Sequence, residues 1–285
     1  MKDAVASDAI QIEAPFAELQ SAIADRRLEG PLLDQVPMQR YGVFIVRQQF
    51  DHDYILALAA TFEAMLASGE IKRSPQHKTE VRFHPDHPFA KIIDNSQFLE
   101  LANQFFGGEV ALDFMRIIKK DAVDRDPVFL HQDSGYQVGR FDAYSFFIPL
   151  TECGPQNGGL AFYPGTHNFG HLGDVGGIAP VLPEAYPMFQ PTVDVGDVLI
   201  MHAGTWHFSP PNNSGRSRVY LEVNIRAADD PAAKQPLGCT EKREWILKMS
   251  VSDLFESSRE QRIKALYRQI SELKQQLADL VHANR

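Results

Sequence analysis

Between Glu109 and Ala227 the chain breaks into short runs separated by Gly, Pro and Asn: VALDFMRIIKK, PVFLHQD, FDAYSFFIPLTEC, GGLAFYPGTH, PTVDV, DVLIMHA and RVYLEVNIRA. Runs of this length, rich in β-branched and aromatic residues and bounded by turn formers, predict a sandwich or barrel of short strands and not a parallel α/β sheet. The last run is the most regular. Val219, Leu221, Val223 and Ile225 alternate with Arg218, Tyr220, Glu222, Asn224 and Arg226. Because side chains of a strand point alternately to its two faces, one face is apolar. The other is polar, and either meets solvent or lines a wet cavity.

Around this segment the pattern is helical. Residues 1–40 read as peripheral, with short helical pieces broken at Gly30-Pro31 and Pro37. Tyr41 to Phe50 reads as a strand. Asp51 or Asp53 then caps a helix running to about Ser68 and ended by Gly69, and a second helix covers Ser96 to Phe106. In the tail, Ile263, Leu266, Ile270, Leu273, Leu277 and Leu280 recur in steps of three and four. This stripe predicts a long C-terminal helix packed on its own core or on a partner subunit, the latter giving a homodimer.

Composition narrows the function classes. The chain has 28 Lys and Arg against 37 Asp and Glu, a net charge of −9. That argues against a broad nucleic-acid surface, which needs a basic footprint, but leaves room for a local basic pocket. Hydrophobic residues make up 44%, enough for a sizeable core. Cys153 and Cys239 form no disulfide framework and match no zinc spacing. No apolar run spans a bilayer, and the N-terminal residues are acidic where a signal peptide is apolar. The expectation is a soluble cytoplasmic protein with no membrane or nucleic-acid partner.

Chemistry concentrates at three places. His131 and Asp133, at the end of a predicted strand, emerge on one face with Gln132 between them turned aside. One imidazole and one carboxylate side by side can fill two corners of a metal polyhedron. His207 follows an apolar strand and supplies a third corner, with His202 as its rival. Two histidines and a carboxylate form the facial triad of non-haem Fe(II) oxygenases, whereas a closed structural zinc site needs a fourth protein ligand. Arg218 opens the alternating strand. Projecting into an enclosed lumen, it would bind the far carboxylate of a dicarboxylate such as 2-oxoglutarate, with the Ser209 hydroxyl assisting.

The ordered set HQD, NGGLAFYPGTH and GDVLIMHAGTWHFSPPNNSGRSR resembles the phytanoyl-CoA dioxygenase family of Fe(II)/2-oxoglutarate oxygenases, from about Tyr41 to Ala227. The resemblance implies a mainly β fold with flanking helices: a double-stranded β-helix (jelly-roll, cupin-like) core over residues 1–228, followed by a helical extension over 229–285. It implies that His131, Asp133 and His207 are the iron ligands and catalytic centre. It further implies that Arg218 binds 2-oxoglutarate, with Gln132 and Ser209 near that co-substrate. An aromatic at Phe146 or Phe147 falls near a Trp-like family position. The Asn157-Gly158 and Pro164-Gly165-Thr166-His167 segments also match and read physically as turns, with His167 as loop structure.

The expected cofactors are Fe(II), 2-oxoglutarate and O2, and the expected reaction is hydroxylation of an aliphatic C–H of a small molecule, releasing succinate and CO2. Retention of Asp133 argues against halogenation, which needs a vacant coordination position. Desaturation, cyclisation, epimerisation and endoperoxidation remain compatible with the same centre. Candidate substrate contacts are Tyr136, Trp206 and Phe147, and beyond them Tyr163, Arg140, Arg116 and the polar face carrying Tyr220, Glu222 and Asn224. The Gly- and Pro-rich stretch from Asn168 to Gln190 is a candidate lid. Two other classes compete: a cupin-like metal enzyme that does not use 2-oxoglutarate, and a non-catalytic jelly-roll module that binds a partner.

Overall fold

Local signals fix the helices. In the computed structural model Asp51 caps helix α2 (His52–Ser68), its carboxylate accepting the Tyr54 N–H at 2.9 Å, and Gly69 ends it in the left-handed conformation (φ 77°). Both ends use a residue suited to the orphan backbone groups there. The helix buries Ile55, Leu58, Phe62 and Met65, one stripe along a single face. Helix α1 (Gln35–Tyr41) precedes it, and α3 (Ser96–Phe106) follows as the sequence predicts. The structure describes residues 16–30, 35–71, 78–82, 87–106, 109–123, 125–135, 142–171, 182, 185–228, 230, 233, 235–237, 263, 267, 270, 271, 274 and 275.

The strands form two sheets. The larger is eight-stranded and runs β1 (Glu29–Gly30), β2 (Val43–Val46), β8 (Val198–His202), β6 (Ala143–Pro149), β10 (Arg218–Ala227), β4 (Val110–Lys120), β11 (Gln235–Pro236), with β3 (Lys78–Arg82) also paired to β4. The smaller has three strands in the order β5 (Val128–His131), β9 (Trp206–Ser209), β7 (Ala161–Tyr163). The described chain is thus mainly β with flanking helices, consistent with a jelly-roll core. β4 and β10 coincide with the predicted runs. The predicted strand over 41–50 shrinks to Val43–Val46, because α1 takes Tyr41, while Gly42 (φ 70°) and Gln48 (φ 53°) leave the extended region. PTVDV contributes only an isolated bridge between Val193 and Cys153.

The two faces of the large sheet have different neighbours. Val219, Leu221, Val223 and Ile225 pack with Phe62, Met65, Phe98 and Leu101 of the helices in one apolar cluster. The polar alternates do not meet water: Arg218, Tyr220, Glu222, Asn224 and Arg226 are all buried. Strand pairing stacks them into rows on the inner face, with Arg218 beside Lys120, Tyr220 beside Ile118 and Pro149, Glu222 beside Arg116 and Phe147, and Asn224 beside Phe114 and Ser145. A polar face buried between sheets persists only where its groups find partners, so this face builds an interior site.

Of the heptad positions in the tail, Ile263 and Ile270 are described, helical and exposed. Leu266, Leu273, Leu277 and Leu280 lie outside the described residues. No helix among the described residues is long and apolar enough to cross a membrane.

Candidate metal centre

β5 and β9 run antiparallel with His131 and His207 as direct register partners, and their rings stand 4.2 Å apart between centroids. Asp133 does not continue β5. It opens a 3₁₀ turn, Asp133–Gly135, which swings its carboxylate back between the two imidazoles. Its Oδ1 lies 3.4 Å from His131 Nε2 and 3.7 Å from His207 Nε2. One ligand atom from each of the three residues falls within 4.8 Å of the other two, and no other such group occurs among the described residues.

The backbone sets the histidine tautomers. His131 Nδ1 is 2.7 Å from the Phe129 carbonyl, and His207 Nδ1 is 2.9 Å from the Thr205 carbonyl. A carbonyl only accepts, so each Nδ1 carries a hydrogen and each Nε2 is directed toward Asp133, where in the neutral ring it offers a lone pair to a cation and in the protonated ring it donates to the carboxylate. Burial and the neighbouring His131 push His207 down to about 4, so it is neutral at physiological pH. Burial alone would raise Asp133, yet His207 and His131 hold it well below the ordinary carboxylate range. For His131 burial is outweighed by its hydrogen bond and charge interaction with Asp133, which raise it. Asp133 Oδ2 is buried with no protein partner. An orphan carboxylate oxygen beside two imidazole lone pairs suits a divalent cation. The donor set of two nitrogens and one carboxylate, with no fourth ligand among the described residues, matches the facial triad.

The rival histidine is committed elsewhere. His202 Nδ1 accepts the Gly204 N–H at 2.9 Å, and Nε2 faces Asp142 Oδ1 at 3.4 Å. His167 binds the Gln39 carbonyl at 3.0 Å and packs against His202, the loop role its sequence context predicts.

Arg218 and Ser209 meet next to the triad. Arg218 is 1% exposed; its Nη2 donates to Ser209 Oγ at 2.7 Å, and Nε and Nη2 both donate to the Gly158 carbonyl at 3.1 and 2.9 Å. Ser209 Oγ in turn donates to Gly158 O at 2.8 Å. Gly158 therefore does more than turn the chain. Its φ of 74° and a Cβ that would approach Pro210 O to 2.8 Å exclude a side chain where the guanidinium must reach the backbone. A buried guanidinium beside a hydroxyl is a donor pair of the kind that can receive a carboxylate. Lys120, opposite Arg218, was not foreseen. Its ammonium donates to the carbonyls of Asp126 at 2.9 Å, Ser209 at 3.4 Å and Pro210 at 2.6 Å, tying the root of β5 to the end of β9. The only signal for it was its register position.

The remaining expected residues separate. Gln132 donates to the carbonyls of Gly170 and Gly204, both at 2.8 Å, and so joins two loops beside the triad. Phe147 faces inward, next to Tyr220 with rings 5.7 Å apart, whereas Phe146 faces the helices and meets Phe98 at 5.6 Å. Trp206 precedes His207 in β9, so strand alternation puts the two side chains on opposite faces. Tyr163 pairs with Trp206 and stacks on Phe208, on the same face as Trp206. Tyr136 and Arg140 lie outside the described residues, as do 172–181 and 183–184 of the lid candidate. The end of that stretch is docked, since Phe189 exchanges backbone hydrogen bonds with Phe162 at 2.8 and 2.9 Å. Phe162, unremarked in the sequence, stacks 6.3 Å from His207.

Comparison with known proteins agrees with this geometry. The structure resembles the non-haem α-ketoglutarate-dependent epimerase SnoN from nogalamycin biosynthesis, with TM-score 0.60, 19% identity, and 80% of this chain and 89% of that chain covered. It also resembles the α-ketoglutarate-dependent carbocyclase SnoK from the same biosynthesis, with TM-score 0.58, 17% identity, and 69% and 84% covered. A third likeness is to EctD from S. alaskensis, solved with 2-oxoglutarate and 5-hydroxyectoine, with TM-score 0.60, 21% identity, and 75% and 81% covered. These likenesses give the fold. Residues 38–220 match the phytanoyl-CoA dioxygenase family, a segment that contains the triad, Ser209 and Arg218. The chain belongs to the phytanoyl-CoA dioxygenase family of non-haem iron, 2-oxoglutarate-dependent oxidoreductases.

Proposed function

We propose that this protein is an Fe(II)/2-oxoglutarate-dependent dioxygenase that hydroxylates an aliphatic C–H of a small-molecule substrate, with release of succinate and CO2. The observation that carries the reading is the convergence of His131, Asp133 and His207 within 4.8 Å, with both Nδ1 atoms tied to backbone carbonyls. When bound, iron together with 2-oxoglutarate and O2 supplies the oxidising power. The protein's own contribution is geometric. His131, Asp133 and His207 would hold the metal, with no fourth protein ligand among the described residues. Arg218 and Ser209 receive the far carboxylate of the co-substrate, which a metal enzyme without 2-oxoglutarate has no need to bind. Asp133 fills the position that a halogenating centre leaves empty.

SnoN and SnoK are named as an epimerase and a carbocyclase, and this favours keeping ring-directed outcomes at the same centre as a second reading. Product analysis separates it from hydroxylation. The test of the main reading is aerobic incubation of the Fe(II)-loaded protein with 2-oxoglutarate. Succinate should form as 2-oxoglutarate disappears, and both should stop with a chelator. Failure to consume 2-oxoglutarate under any substrate panel would count against the proposal.

A further inference from the structure

Resting on that reading, we infer that the inner-face group Glu222, Asn224, Ser145 and Arg116 is a substrate-recognition wall that selects molecules carrying hydrogen-bond donors, hydroxyl or protonated amine groups, beside the carbon that is oxidised. Glu222 and Asn224 are both 0% exposed, lie on the face of β10 turned toward the small sheet, and fall beyond the segment matched to the family. The wall shares the inner face of β10 with Arg218, which donates to Ser209, two residues beyond His207 in β9.

Proton accounting fixes which atoms remain for a ligand. Arg116 Nε donates to Glu222 Oε2, and Ser145 Oγ donates to Glu222 Oε1 at 2.8 Å. Ser145 has spent its only hydrogen there, so toward Asn224 it accepts, and Asn224 Nδ2 donates to it at 2.9 Å. The Asn224 amide is thereby locked with its oxygen facing away, and that Oδ1 is buried with no partner. A buried carbonyl oxygen without a donor is costly, and its natural complement is a donor brought by a ligand. Glu222 keeps acceptor capacity beyond its two described bonds. Beside the Arg116 guanidinium, which donates to Glu222, the atoms that Glu222 and Asn224 leave open are acceptors and ask for donors. Its placement is built into the sheet: the β10–β4 register shifts between Asn224 and Ile225, and bulges of this kind re-aim side chains next to active sites.

The experiment uses the full chain, loaded anaerobically with Fe(II) and 2-oxoglutarate, and follows the visible charge-transfer absorption. The probes are polyols, sugars and amino alcohols, each matched by a ketone or ether of the same carbon skeleton. Donor-bearing compounds should perturb the band and their acceptor-only mates should not. Glu222→Gln and Asn224→Leu should weaken the active compounds by at least about tenfold, with the 2-oxoglutarate dissociation constant within about twofold of wild type. Ser145→Ala, which keeps both acceptor side chains but releases the Asn224 amide and the Glu222 oxygen that Ser145 holds, gives a second route if either variant folds poorly, and it too should weaken the same compounds. Response confined to acceptor-only compounds, or absent from the whole panel, overturns the inference, as do variants that bind donors as wild type does. If the wild-type protein develops no band with 2-oxoglutarate, the oxygenase reading itself falls and takes this inference with it.

Discussion

His131 and His207 sit directly opposite one another across β5 and β9, and their Nε2 atoms share one oxygen of Asp133 at 3.4 and 3.7 Å. Each ring is held by a backbone carbonyl two residues before it, Phe129 O and Thr205 O. The two histidines are thus set by strand register, and Asp133 by the 3₁₀ turn that follows β5. Asp133→Ala should weaken Fe(II) binding by more than the roughly 10–100-fold typical of losing an outer-shell partner. Equilibrium titration with Fe(II) or Mn(II) measures this, and unchanged affinity would remove Asp133 from the ligand set.

Arg218 anchors the other end of the site through Ser209 and Gly158. Arg218→Lys keeps the charge but loses the planar fork. We expect KM for 2-oxoglutarate to rise by about 10–100-fold, the equivalent of one charge-assisted hydrogen bond of roughly 1.5–3 kcal/mol. Steady-state kinetics at varied 2-oxoglutarate checks it. A KM unchanged in Arg218→Lys and in Arg218→Met would place the co-substrate elsewhere.

Lys120 donates to carbonyls of Asp126, Ser209 and Pro210, so removing it takes a donor from the buried Ser209 carbonyl and the half-buried Pro210 carbonyl and leaves a cavity at a fully buried side chain. Lys120→Met should cost about 2–4 kcal/mol of stability. Because Ser209 is one of the tethered residues, the affinity for 2-oxoglutarate should fall as well. Urea unfolding and a binding titration together test the pair of effects, and a variant as stable as wild type would show that the tether contributes little.

Gly42 joins α1 to β2 with φ 70°, and a Cβ there would collide with His167 Nδ1 and Thr205 Oγ1. Thr205 donates to Gly42 O at 2.8 Å and supplies the carbonyl that orients His207. Gly42→Ala should destabilise by more than about 1 kcal/mol. It should also loosen metal binding, whereas an equal substitution at Gly69, which has open space around it, should spare the metal. Thermal melts with and without Mn(II) distinguish the two.

Much of the helical frame was legible because its signals are local. Asp51, Gly69 and the Ile55–Leu58–Phe62–Met65 stripe lie within one stretch of chain, and α2 follows them. The alternation of β10 was equally plain, but its polar face was ambiguous between water and lumen. That choice depends on a second sheet formed by residues far away in sequence. β9 was missed as a strand for the same reason: Trp206–Ser209 shows no clean alternation of polar and apolar residues, and its identity comes from pairing with β5 and β7. The three metal ligands were readable as types and spacing. The Phe129, Thr205 and Gly158 carbonyls that position them and Arg218 were not, since every residue carries a carbonyl and only the fold singles these out.

His202 gives a pH-dependent effect that is separable from the metal ligands. Burial and the neighbouring His167 push it down to about 4, with Asp142 opposing. A folded-state value below the unfolded one means that the unfolded chain binds the proton first as pH falls. The neutral folded form therefore has full stability above about pH 6.5, lost progressively toward pH 4. The metal-free protein should be less stable at pH 5 than at pH 7.5, and His202→Gln should reduce that difference. Urea midpoints at the two pH values decide it. An identical pH dependence in the variant would assign the loss to other groups.

The central claim is that the three-residue corner and Arg218 together hold iron and 2-oxoglutarate at once. Its most direct test is anaerobic titration of the Fe(II)-loaded protein with 2-oxoglutarate, followed by visible absorption. A charge-transfer band that saturates at one equivalent, disappears in Asp133→Ala and requires far more 2-oxoglutarate in Arg218→Met is the predicted result. A wild-type protein that binds Fe(II) yet develops no such band would contradict the account.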